Sequence, residues 1–217
     1  MLQVVEVCKA WEEEEVLSEV SFELRKGEII AIIGASGSGK TTLLNIIGGL
    51  MKPSKGRVLF FDTDIHAQKE RDLNIFRNKK IGFIFQTYNL LSGLSLMENI
   101  LLSTSISGRD SKDRAKNLIS ALGLSKYEKN LPGMLSCGQQ QKAAIARALI
   151  NEPEIILADE PTGSLDTQTA DEVFSLLKEK VKEESRSMVM VTHNRRLAEQ
   201  ADSVLLLEGG RLLPSEQ

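Results

Sequence analysis

Residues 34–42, Gly34-Ala35-Ser36-Gly37-Ser38-Gly39-Lys40-Thr41-Thr42, bring together the residue types that hold a polyphosphate. They satisfy G-x-x-x-x-G-K-[ST], the phosphate-binding loop pattern. Glycines at 34, 37 and 39 let the backbone turn and bring its N–H groups near phosphate oxygens, and a helix after the loop adds the positive end of its dipole. Lys40 is placed to reach β- and γ-phosphates, and the Thr41 hydroxyl to sit on Mg²⁺. Far downstream, an apolar run over 154–158 ends in Asp159 and Glu160. Adjacent acids at a strand end are common. Beside a phosphate loop they gain a use: Asp159 holds Mg²⁺ through water, and Glu160 activates the attacking water.

That chemistry needs strands to deliver it. The continuous apolar run 28–33 before the loop predicts a strand buried on both faces, and 42–47 predicts a helix. A second apolar strand, 81–85, delivers Gln86, which is either an ordinary edge residue or a contact to Mg²⁺ and water. Another, 187–192, ends in His193. A histidine after a strand is more often structural, but its place at the sheet edge of Asp159 favours a functional role. Such edges are where α/β sheets put their ligands. Residues 3–9 and 19–24 alternate as antiparallel-type strands around an acidic turn, 12–15. Trp11, beside that turn, is a partly buried packing residue or a stacking platform for a purine ring.

Gly48-Gly49 and 53–56 punctuate the chain, and 57–62 returns as a strand. The segment 63–80 is polar and mixed in charge, with His66 read as a loop or helix-surface residue. From 87 to about 148 the apolar spacing becomes helical over 94–106, 112–122 and 138–150, with breaks at Gly108, Gly123, Pro132 and Gly133. The last of these helices opens with Leu135-Ser136-Cys137-Gly138-Gln139, a serine, a glycine and bare N–H groups that form a second anion site. An amphipathic helix over 166–182, a short helix over 195–201 and a hairpin over 203–213 complete the chain. The expected fold class is α/β, a single domain over 1–217. Its core is 1–86 and 151–217, with an antiparallel β subdomain and a helical insertion at 87–150.

With 27 Lys and Arg against 30 Asp and Glu, the net charge of −3 provides no global basic surface for nucleic acid. The start of the chain shows no basic and then apolar signal pattern. No apolar run approaches the roughly 20 residues that span a bilayer, so work at a membrane would need a separate spanning chain. Cys8 and Cys137 lack C-x-x-C spacing, which points to neither a disulfide framework nor zinc. A reducing cytosol is the default compartment.

Taken together, these motifs resemble the nucleotide-binding subunit of an ABC transporter over nearly the whole chain. The decisive feature is Leu135-Ser136-Cys137-Gly138-Gln139 shortly before Asp159-Glu160. The resemblance implies a RecA-like core and makes 34–42 the Walker A loop and Trp11 the adenine-stacking aromatic. Gln86 becomes the Q-loop residue, with Thr41 and Asp159 a contact to the metal. Glu160 becomes the catalytic glutamate, Ser164 to Asp166 the D-loop and His193 the switch histidine. ATP with Mg²⁺ is then sandwiched head to tail between two copies, the loop of one facing Ser136, Cys137, Gly138 and Gln139 of the other. A membrane-spanning permease at the cytoplasmic face of the membrane is the second partner, with a coupling surface expected near 86–91 and the following helices, at Tyr88, Leu90, Leu91 and Leu94.

Within the family, 157–166, 81–90 and 43–50 resemble the lipoprotein-release, macrolide-export, antimicrobial-peptide and cell-division branch. Cys137 replaces the usual first glycine of the signature and Lys142 the usual arginine, which predicts weaker closure or slower turnover. Two other readings stay open: a nucleotide-binding regulatory module with little turnover, and a soluble DNA-maintenance ATPase. The latter needs a long coiled coil between the two nucleotide motifs, and no sustained heptads occur there.

Overall fold

A computed structural model describes residues 1–12, 14–104 and 111–214. Two sheets make up its framework. Strands β1 (Leu2–Trp11), β2 (Glu14–Leu24), β4 (Lys55–Phe60) and β5 (Thr63–Asp64) form an antiparallel sheet in the order β2-β1-β4-β5. Strands β3 (Ile29–Ile33), β6 (Ile81–Ile84), β7 (Ile155–Asp159), β8 (Ser187–Thr192), β9 (Ser203–Glu208) and β10 (Arg211–Pro214) form the second, ordered β10-β9-β3-β8-β7-β6. In the latter all pairs are parallel except β10 with β9. Helices α1 (Lys40–Ile47), α2 (Glu70–Lys80), α3 (Leu96–Leu102), α4 (Lys112–Ala121), α5 (Cys137–Leu149), α6 (Thr167–Glu183) and α7 (Arg195–Ala198) connect these strands.

The period of two along the buried strands assigns each residue to one of two cores. Ile29 and Ala31 of β3, Ile156 and Ala158 of β7, and Met188 and Met190 of β8 pack toward α3, α4, α5 and α6. Their neighbours Ile30, Ile32, Ile155, Leu157, Val189 and Val191 pack on the other face, toward α1 and the antiparallel sheet. Neither face of the central sheet is left to solvent, which is why these runs read as uninterrupted apolar segments rather than alternating ones.

Several local expectations change. Glu14 and Glu15 lie inside β2, paired with Trp11 and Ala10, so the acidic run is mostly strand and the turn is shorter than expected. Phe61 and Asp62, expected as strand, form a left-handed turn at φ 44 and 64 between β4 and β5. The polar segment 63–80 contains α2, a helix that buries little beyond Leu73. His66 is half-buried, its Nε2 2.9 Å from the Ile46 carbonyl, and that burial lowers its pKa. The expected helix over 94–106 is seen as Leu96–Leu102. Residues 105 and 106 and the break at Gly108 lie outside the described residues.

Candidate functional site

Parallel pairing brings the C-terminal ends of four strands to one edge. Ile33 lies beside Thr192, Asp159 beside Val191, and Ile84 beside Ala158, so the chain leaves β3, β8, β7 and β6 toward Gly34, His193, Glu160 and Gln86 on the same side. Gly39 caps α1 in the left-handed region at φ 95, as the expectation of a glycine-dependent turn requires. At Gly34 the constraint is space instead: a Cβ there would stand 2.3 Å from the Leu207 carbonyl oxygen.

Lys40 is buried, and its Nζ donates to the carbonyls of Gly34 at 2.9 Å and Ala35 at 2.7 Å. The ammonium is thus held within the loop rather than in solvent. Ser38 Oγ is buried there without a hydrogen-bond partner among the described residues. Thr41 Oγ1 donates to Asp159 Oδ1 at 3.2 Å. Burial raises the Asp159 pKa, a shift opposed by the Thr41 hydrogen bond and reinforced by the charge of Glu160. These oxygens are the hard donors that Mg²⁺ prefers.

Glu160 sits at φ 44, outside the region open to most residues. Its carboxylate accepts from Thr192 Oγ1 at 3.0 Å and from the His193 backbone N–H at 2.9 Å, and its Oε1 lies 2.9 Å from His193 Nδ1. Backbone and side chain of β8 therefore fix the acid that β7 delivers. A cleft of about 500 Å³ is lined by Lys40, Thr41, Thr42, Gln86, Asp159, Glu160 and His193 together with loop residues Ser36, Gly37 and Gly39. A second cleft of about 590 Å³ adjoins it, lined by 34–38 with Glu14, Glu15 and Glu208. Each is of small-ligand size.

Six of the expected residues stand apart. Trp11 is 52 % exposed and lines neither cleft; it ends the strand whose hairpin partner supplies Glu14, and Lys9 Nζ lies 4.3 Å from its ring centroid. Asp166 caps α6, accepting from the Thr169 N–H at 3.1 Å; hydrogen bonding by the Thr169 side chain and then by its backbone lowers the Asp166 pKa. Ser136 caps α5 through a reciprocal pair with Gln139: its Oγ accepts from the Gln139 N–H at 3.3 Å, and Gln139 Oε1 accepts from the Ser136 N–H at 3.0 Å. None of Ser136, Cys137, Gly138 and Gln139 lines the two clefts. Within one chain the two anion-binding helix starts are separate.

At the α5 tip the two positions of the usual glycine pair are unequal. A Cβ on Gly138 would meet the Thr169 methyl at 2.7 Å, whereas Cys137 is exposed at the first helical position. The departure from the usual signature falls where a side chain fits. Sequence reasoning missed Thr192 and Arg147. Thr192, a hydroxyl one residue before His193 in an otherwise apolar strand, carried a usable signal. Arg147 carried only its oddity in an alanine-rich helix.

A strand-to-helix glycine loop with its buried lysine, facing an acid pair across a parallel sheet, defines a P-loop nucleotide-hydrolysing fold. Within that class the chain belongs to the ABC transporter family, whose sequence profile matches residues 17–163. It is 42 % identical to an uncharacterized ABC transporter ATP-binding protein of Thermotoga maritima, over 98 % of this chain and 93 % of the relative. It is 41 % identical to the lipoprotein-releasing system ATP-binding protein LolD of Cytophaga hutchinsonii, over 98 % of this chain and 99 % of that protein. Among solved structures it resembles the dimeric bacterial ABC transporter cassette MJ0796, with TM-score 0.90 and 37 % identity over 98 % of this chain and 96 % of that one. A post-hydrolysis dimer of the same cassette bound to ADP and Pi gives TM-score 0.91 and 36 % identity, over 100 % and 98 % of the two chains. The chain is an ATP-binding ATPase subunit of this family; the solved cassettes it resembles are dimers. Among the described residues no helix is long and apolar enough to cross a membrane.

Proposed function

We propose that residues 34–42 cradle the ATP phosphates, that Glu160 is the general base, and that the α5 tip of a second copy closes the site. The observation that carries this is the convergence of Lys40, Thr41, Asp159, Glu160 and His193 on one cleft. The N–H groups of the loop and the Lys40 ammonium neutralise the triphosphate. Thr41 and Asp159, with Gln86 nearby, are the groups that would hold Mg²⁺, which supplies charge neutralisation on the phosphates when bound. Glu160, aimed by Thr192 and His193, takes a proton from the attacking water, and His193 Nδ1 stays within hydrogen-bond reach of the carboxylate that receives it. Trp11 stacks on the base, leaving one ring face to Lys9. Ser136, Gly138 and Gln139, with the backbone of Cys137, contact the nucleotide held by the partner, and Asp166 lies on the same closing surface.

The domain is a core of 1–86 and 151–217 with a helical unit at 87–150. The membrane partner docks where that unit meets the core, in a cleft of about 520 Å³ lined by Leu50, Arg77, Phe83, Phe85, Leu102 and Arg147. The coupling surface therefore sits beside the expected Tyr88 to Leu94 segment: Tyr88 is tied within the chain, Leu90 packs on the core, and Leu91 is 50 % exposed. The subunit works peripherally at the cytoplasmic face of the membrane, in a system of the lipoprotein, peptide or drug export type, a reading supported by its likeness to LolD proteins. Steady-state phosphate release from purified wild type and Glu160→Gln tests the assignment. The expected outcome is loss of at least about a hundredfold in kcat in the variant, with ATP binding kept. Equal rates would reject Glu160 as the base.

A further inference from the structure

Tyr88 is a bulky aromatic residue at φ 58, followed by Asn89 at φ 50. Successive left-handed residues other than glycine cost on the order of 1–3 kcal/mol each and persist only where the surroundings impose them. Arg147 of α5 imposes them here. Its guanidinium donates to the carbonyl of Asn89 and, at 2.6 Å, to that of Tyr88.

Held this way, the phenol crosses to another loop. Tyr88 Oη lies 2.6 Å from Ser164 Oγ, 76 residues away in sequence. Burial raises the phenol above the ordinary tyrosine range, so the hydroxyl keeps its proton. Ser164 belongs to the turn that starts at Glu160: the Gly163 N–H donates to the Glu160 carbonyl at 3.0 Å, and a Cβ on Gly163 would stand 3.3 Å from the Glu160 Cβ. One residue thus ties together the loop after Gln86, the turn bearing Glu160 and, through Arg147, helix α5. A space-filling role would need only the ring, and phenylalanine would serve it. The short contact to Ser164 uses the oxygen.

We propose that Tyr88 is a positioning residue for hydrolysis, its hydroxyl fixing the Glu160 turn to the loop that Arg147 of α5 holds, so that the carboxylate is presented to water in one orientation. This rests on the assignment of Glu160 as base. The test compares kcat, KM for ATP and Tm in wild type, Tyr88→Phe, Ser164→Ala, the double variant and Glu160→Gln. We expect each single variant to lower kcat about fivefold, the value of one hydrogen bond. KM should stay at the wild-type value and Tm fall by no more than about 4 °C, and the double variant should be no slower than the slower single one. Wild-type kcat in Tyr88→Phe with Glu160→Gln inactive would overturn the proposal alone. So would multiplicative losses in the double variant, or a loss confined to KM or accompanied by a fall in Tm well beyond about 4 °C. Wild-type turnover by Glu160→Gln would overturn the base assignment and the proposal with it.

Discussion

The strand-end cleft and the α5 tip use the same materials, a hydroxyl, glycines and the start of a helix, and satisfy them differently. In the cleft, Lys40 is bonded to its own loop, Thr41 to Asp159, and Glu160 to Thr192 and His193, across three separate segments of chain. At the tip, the side chains of Ser136 and Gln139 are bonded, among the described residues, only to each other's backbone N–H, and Ser136 and Cys137 face solvent. The cleft is fixed by long-range structure, whereas the tip is shaped locally and left outward. In the proposed function, a cleft whose geometry is set within one chain is thus separated from a surface that acquires its ligand from another.

Substitutions on the two sides should therefore fail in different assays. Lys40→Ala should reduce ATP affinity of the isolated chain by at least about a hundredfold, the value of roughly 3 kcal/mol of charge-assisted bonding. Equilibrium titration with a fluorescent ATP analogue measures this, and an unchanged Kd would break the contrast outright. Gly138→Ala should leave that Kd intact yet weaken ATP-driven dimerisation of a Glu160→Gln background about tenfold, because its methyl displaces Thr169 and tilts the tip. Size-exclusion with light scattering reads the dimer. Ser136→Ala removes the cap, so it should cost about 1 kcal/mol of stability in urea unfolding and weaken the dimer several-fold, again sparing nucleotide binding by one chain. Cys137→Gly should have the smallest effect, tightening dimerisation about twofold while costing under about 1 kcal/mol of stability through glycine in the first turn.

How much of this was legible follows the same division. The phosphate loop, Asp159, Glu160 and His193 could be placed from sequence because each follows an uninterrupted apolar strand, and parallel pairing sends all such ends to one edge. The start of α5 was legible because Ser136 and Gly138 open a run of helically spaced apolar residues, whereas its reciprocal cap is seen only in the structure. What escaped depends on partners distant in sequence. Glu14 and Glu15 enter a strand because they pair with Trp11 and Ala10, a pairing that overrides an acidic run's preference for solvent. Helix α2 escaped because only Leu73 is buried along it, so its apolar spacing carried almost no period. The contact of Tyr88 with Ser164 joins two loops that nothing local relates.

The cap on α5 has a chemical corollary. A serine hydroxyl owns two lone pairs and one hydrogen, and stabilising the Gln139 N–H draws on a lone pair alone. The hydrogen is still free to be given to an incoming phosphoryl oxygen, so Ser136 can keep its helix wound while it bonds to a foreign anion. Threonine would retain that duality, alanine would forfeit both halves, and aspartate would preserve the winding while repelling the guest.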